Sequence, residues 1–171
     1  MAKNVILTNE GTKQFNHAIE LLKTSIKEIN QVADQMVPEN LILDGLSNYL
    51  SDFCKSMEAD SKLKIVFTTE GEIINADEHI DTTIFRCFRI LIFTILKYST
   101  PDTIYINLLK SGNAFNLTIK DNSTFNIFKV PNYNIKQDLE NVKSILAPFN
   151  GNLYFKTAES NNNEIVIQIP I

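Results

Sequence analysis

Residues Asp81–Ser99, DTTIFRCFRILIFTILKYS, carry the reading that decides the fold. Asp81 stands where an N-cap belongs, because its side chain can accept from the free backbone N–H groups of a first helical turn. From Ile84 to Leu96 the residues are apolar nearly all round, interrupted only by Arg86, Arg89 and Thr94. A helix without a wide polar face must be covered on most sides, so this stretch is predicted to be the central buried helix of an α/β domain. At about 100° per residue, Arg86, Ile90, Thr94 and Lys97 share one stripe, the place on the helix where polar atoms gather. Any cleft in the domain should border that stripe.

Composition frames the rest. A chain of 171 residues suits one domain of ordinary size with an appended helix. With 44% hydrophobic residues and only 5 glycines it reads as a packed chain without disorder or repeats. A net charge of −4 argues against a nucleic-acid or anionic-membrane partner. Lys and Arg do not cluster with aromatics as a nucleic-acid surface would. Cys54 and Cys87 fall at apolar-patterned helical positions and read as buried free thiols in a reducing compartment, with a disulfide as the alternative. No signal pattern opens the chain, and the nearly apolar run Ile90–Leu96 is too short to span a bilayer. The expectation is a soluble, cytoplasmic chain without direct membrane contact, which could be a piece of something larger.

Working outward, Phe15, Ile19, Leu22, Ile26, Ile29, Ala33 and Met36 recur at spacings of four and three. That is an a/d seam, which favours packing along another helix, either in its own domain or in an intermolecular bundle. Pro38 stops this helix and can open the next. Leu43, Leu46, Leu50, Phe53 and Met57 then predict a second amphipathic helix. Lys64–Thr68 and Glu72–Asn75 read as short strands. After the central helix, residues 104–108 and 115–119 alternate around the turn Ser111-Gly112-Asn113, which predicts a hairpin. Ser123–Asn134 has no period and reads as a loop, and Gln137–Phe149 as a helix. Leu153–Lys156 and Ile165–Ile169 close the chain as strands flanking the polar turn Ser160–Asn163. Helices interspersed with hairpins indicate an α+β sandwich of two layers with a mixed or antiparallel sheet.

From about Ala18 to Ile171 the chain resembles bacterial two-component sensor histidine kinases. The stretch AIELLKTSIKEINQVADQMVPENLILDGLSNYLSDFC is similar to the second dimerisation helix, its Pro break and the first helix of the catalytic domain. IFRCFRILIFTILKYS sits where the family has its N box. TIYINLLKSGNAFNLTIKDNS looks like the hairpin leading to the adenine-binding Asp, and DLENVKSILAPFNGNLYFKT like the last helix and following strand. The resemblance implies the two-layer GHKL ATPase sandwich over residues 38–171. It implies a leader and part of a dimeric four-helix bundle over residues 1–37 and, in active members, Mg–ATP binding.

Carried over one position at a time, the N-box Glu falls on Ile90, the magnesium-ligating Asn on Thr94 and the N-box Lys on Lys97. The adenine-binding Asp falls on Asp121, followed by Asn122, and the two glycines of that loop fall on Ser123 and Phe125. The glycine turn of the lid falls on Lys136, Asp138 and Leu139, and the Asn of the last helix on Asn141. Magnesium needs hard oxygen ligands, and Ile90 offers none. Phosphates are cradled by backbone N–H groups where glycines allow close approach, a space Phe125 would fill. Asp138 sets a carboxylate where a polyphosphate should sit. Like charges about 4 Å apart at an effective dielectric near 20 repel by about 4 kcal/mol, roughly three decades in affinity. ATP turnover is therefore not expected. Asp121 has a second reading, since a carboxylate before a turn can cap local backbone N–H groups.

The family's phosphoacceptor His lies on the first dimerisation helix, which this alignment places before residue 1. Only His17 and His79 are present. His17 occupies an exposed c-type heptad position without an acid directly after it, a weak phosphoacceptor candidate that reads first as a solvated residue. His79 reads as a surface loop before the central helix. No Cys/His metal spacing and no nucleophile elbow occurs.

The expectation is a histidine-kinase-like signalling protein or kinase fragment. Its nucleotide site would be vestigial (Thr94, Lys97, Asp121, Asn122, Asn141), with no catalytic residue, metal ligand or cofactor. Its partners would be a second copy through the 15–36 seam and a response regulator or kinase. Two alternatives stand beside it: an authentic kinase catalytic domain that binds ATP and magnesium, or a phosphotransferase with a borrowed kinase-like domain and His17 as carrier.

Overall fold

The computed structural model describes residues 9–35, 38–59, 61–71, 77–123, 132–157 and 163–171. The chain forms two compact units, Met1–Val37 and Pro38–Ile171. The first contributes helix α1 (Asn9–Gln35). Of its seam, Phe15 and Leu22 are 55% and 62% exposed, and Ile19 is half-buried. The side chains of Ile26, Ile29 and Ala33, and all of Met36, lie outside the described residues.

The second unit runs α2 (Glu39–Ala59), β1 (Lys64–Glu70), α3 (Glu78–Tyr98), β2 (Thr103–Ser111), β3 (Ala114–Asp121), α4 (Tyr133–Leu146), β4 (Asn152–Thr157) and β5 (Asn163–Pro170). The strands make one mixed five-stranded sheet in the order β1-β2-β3-β5-β4. Only β1 and β2 are parallel, and α3 supplies the crossover that a parallel pair requires; the other pairs are antiparallel. Period-two alternation sends Ile104, Ile106 and Leu108, then Phe115, Leu117 and Ile119, then Ile165, Ile167 and Ile169 into the core. The helices cover that face, giving the two layers expected. The opposite face mixes polar residues with exposed Tyr105 and Tyr154, and on it Glu164 of β5, between β3 and β4, pairs with Lys120 at 3.5 Å and Lys156 at 3.4 Å. At the turn between β2 and β3, Gly112 takes φ 56, which a residue without Cβ adopts without strain.

Helix α3 is the buried centre. Ile84, Phe85, Cys87, Phe88, Leu91, Ile92 and Ile95 are all buried. Phe85 and Phe88 meet Tyr49 and Phe53 of α2 edge to face, with ring centroids 4.9–5.9 Å apart. Both cysteines are free and buried in this layer.

Four expectations are corrected. The N-cap of α3 is Asp77, whose carboxylate accepts from the His79 N–H at 2.9 Å. Ile80 is buried along with Ile84, so core packing extends the helix one turn before Asp81 and places exposed His79 in that turn rather than in a loop. In α2, Gly45 breaks the helix at φ 76, ψ 162 and shifts its phase. Leu41 thereby joins Leu46, Leu50 and Cys54 in the core, and Leu43 is left 72% exposed. The last helix begins at Tyr133, because Asn132 caps it by accepting from the N–H groups of Asn134 and Ile135. It ends in a 3-10 turn over Ala147–Phe149. The strand expected at Glu72–Asn75 lies outside the described residues.

Candidate functional site

Two polar clusters occupy the places where sequence reading put the site. The first lies between α3 and α4. Thr94 is buried, and its Oγ1 lies 2.8 Å from the Ile90 carbonyl and 3.1 Å from Asp138 Oδ2. A Thr inside a helix commonly returns its proton to the carbonyl four residues back; here that proton is shared with a carboxylate of the next helix. Lys97 is exposed one turn on, with Nζ 5.0 Å from the Tyr98 ring centroid. Its pKa is raised above the ordinary lysine value, first by the Tyr98 hydroxyl and more weakly by the Asp138 charge. Tyr98 Oη is buried and meets no hydrogen-bond partner of good geometry among the described residues. The stripe read from the sequence thus borders α4, and α4 fills the border with Asp138.

The second cluster closes the end of β3. Asp121 lies on the core face, in phase with Phe115, Leu117 and Ile119, and is fully buried. Its Oδ1 accepts from the Ser123 N–H at 2.9 Å and from the Ser123 hydroxyl. The Asn163 Nδ2 donates to Oδ1 at 3.2 Å, to Oδ2 at 3.0 Å and to Ser123 Oγ at 3.1 Å. Ser123 and Asn163 are themselves buried. Of the two readings of Asp121, local backbone capping is present in the structure as an Asx-type contact to Ser123.

Asn163 is the residue sequence reading missed, since it was assigned to the polar turn Ser160–Asn163. The signal was available: stepping back by two from Ile169, Ile167 and Ile165 puts residue 163 on the buried face. The other carried-over residues do not converge on these clusters. Asn122 is exposed, and its Oδ1 accepts from the N–H groups of Asp102 and Thr103, both at 3.0 Å, which pins the start of β2. Asn141 and Lys136 are exposed on α4, and Leu139 is half-buried there. Phe125 lies outside the described residues, and His17 is exposed in the other unit.

At the positions that the resemblance gives to metal ligands, Ile90 is aliphatic and the Thr94 hydroxyl is shared between the Ile90 carbonyl and the Asp138 carboxylate. Among the described residues, no group of three or more His, Cys, Asp or Glu side chains is placed to hold a metal ion.

The layers, strand order and helix placement define a class: this is the fold of the histidine-kinase catalytic domain, the GHKL-type ATPase sandwich. No protein-family model matches the chain. Among solved structures it is similar to the Erythrobacter litoralis EL346 blue-light activated histidine kinase, with TM-score 0.58 and 13% identity over 73% of this chain and 41% of that one. It is similar to the catalytic domain of histidine kinase ThkA, with TM-score 0.56 and 14% identity over 75% of this chain and 92% of that one. A third is full-length ShkA in complex with AMPPNP, with TM-score 0.58 and 13% identity over 98% of this chain and 40% of that one. The chain therefore spans less than half of the first and third of these proteins. Among the described residues no helix is long and apolar enough to cross a membrane.

Proposed function

We propose that this chain is a histidine-kinase-like signalling protein, or a fragment of one, that keeps the ATPase scaffold without the chemistry for gripping Mg–ATP. It acts as a dimerisation and docking module in two-component signalling. The observation that carries this reading is the 3.1 Å contact from Thr94 to Asp138. The position the resemblance gives to a magnesium ligand is turned toward a carboxylate of its own domain. A nucleotide arriving there would have to displace that carboxylate or endure its charge, at a cost of about 4 kcal/mol for charges about 4 Å apart at an effective dielectric near 20. The Asp121 oxygens are likewise engaged by Ser123 and Asn163. Dimerisation is assigned to the α1 seam, where Phe15 and Leu22 present apolar surface. The partners are a second copy and a response regulator or kinase.

Isothermal calorimetry of the full chain with ATP and magnesium tests the reading. No binding in the micromolar range is expected. A micromolar dissociation constant with magnesium dependence would overturn it in favour of a working kinase domain.

A further inference from the structure

The break in α2 leaves a cavity of about 340 Å³ beside the first turn of α3. Its wall has two chemistries. Leu41, Ile42 and Leu43 make an apolar side, with Ile42 51% exposed. Asp44, Glu78 and Asp81 bring carboxylates, and among the described residues no Lys, Arg or His lines it.

Asp81 sits half-buried, with its carboxylate accepting from the Leu46 backbone N–H just after the break. Burial pushes its pKa above the usual aspartate value, and the charge of Asp77 pushes the same way, against the Leu46 hydrogen bond. The two helix starts bring about half a positive charge each. Against that stand Asp44, Asp77, Glu78 and Asp81, so the balance at the cavity stays negative.

A partly dehydrated carboxylate among other acids is relieved by a cation, and an apolar wall by hydrocarbon. A bare metal ion meets only the first demand, and among the described residues no acidic trio is placed to hold one. A neutral hydrocarbon meets only the second. The volume is at the lower end of small-molecule pockets, about 300–1,000 Å³, and leaves no room for a partner helix. We infer that this cavity binds a small organic ammonium ion, a primary amine on a short apolar stem, with Asp81 and Glu78 taking the charge and Ile42 and Leu43 covering the stem. The site lies at the other end of α3 from Thr94, and its test is independent of nucleotide binding.

The probe is hexylammonium chloride, titrated into the ¹⁵N-labelled full chain while amide shifts are followed. Saturable shifts are expected at Gly45, Leu46, Asp81 and Thr82, and not with hexanol or ammonium chloride at equal concentration. Asp81→Asn keeps an oxygen that can accept from Leu46, so it should fold and weaken binding about tenfold. Glu78→Gln, at an exposed position, should weaken it about threefold, the scale of a solvent-exposed ion pair. If Asp81→Asn does not fold, Glu78→Gln decides. The inference is overturned by an absence of saturable shifts, by equal shifts with hexanol or ammonium chloride, or by undiminished binding in the folded variants.

Discussion

Replacing Asn163 with Ala tests whether Asp121 is a structural staple. In the native domain the Asn163 Nδ2 reaches both carboxylate oxygens of Asp121, at 3.2 and 3.0 Å, and Ser123 Oγ at 3.1 Å. Hydrogen bonds to a charged group contribute about 1.5–3 kcal/mol, and the loss is largest when the group left behind is buried. Asp121 has no exposed surface, so water cannot replace the lost donor without opening the core. Asn163→Ala should therefore cost about 3 kcal/mol. Set against the roughly 5–15 kcal/mol typical of a whole domain, that would be a fifth to more than half of its stability. The assay is urea unfolding of the parent, Asn163→Ala, Asp121→Ala and the double variant. The cycle should return a coupling energy near 2 kcal/mol, within the range of about 0.5–3 for groups in one network. Gln168→Ala is the control, because Gln168 bonds Asn116 at 3.1 Å among half-buried residues; its effect should stay near 0.5 kcal/mol. A loss below about 0.5 kcal/mol for Asn163→Ala, or additivity of the two single variants, would refute the argument.

Thr94→Val keeps the shape of the buried side chain but removes the proton shared with Asp138, and should lower stability by about 1 kcal/mol in thermal unfolding; no loss would show that contact to be incidental. Leu22→Glu puts a charge in the α1 seam and should convert a dimer to monomer in sedimentation equilibrium, whereas an unchanged mass would remove α1 as the interface. Burial pushes the Cys54 and Cys87 thiols up to about 12, so neither should react with a thiol reagent at pH 8 until the chain is unfolded. The sign follows from linkage: the unfolded thiols, near 9, release protons first. Stability therefore holds below pH 9 and falls between pH 9 and about 12, by roughly 1.4 kcal/mol per pH unit for each thiol. Urea midpoints that stay level from pH 8 to 10.5 would contradict this.

Local pattern was sufficient for the elements. The nearly all-round apolar girth of Ile84–Leu96 made α3 central, and alternation in residues 104–108, 115–119 and 165–169 predicted three strands that the sheet contains. Such signals survive because burial of one face is a property of the segment itself. Boundaries did not survive as well. Asp81 has the chemistry of an N-cap, yet burial of Ile80 moved the start to Asp77 and freed Asp81 to meet Leu46. Leu43 fits an unbroken helical period, but the left-handed turn at Gly45 resets the phase.

The candidate site divides along the same line. Residue types alone placed an aliphatic Ile90, a short hydroxyl at Thr94 and an acid at Asp138 where the resemblance needs metal and phosphate ligands. Those identities are fixed one position at a time and need no coordinates. That the Thr94 hydroxyl meets Asp138, and that Asn163 crosses from β5 to Asp121, was decided by tertiary structure. Hydrogen bonds between residues 44 and 42 positions apart leave no periodic trace in a chain. Only the packing of α4 on α3 and of β5 beside β3 sets those atoms at bonding distance.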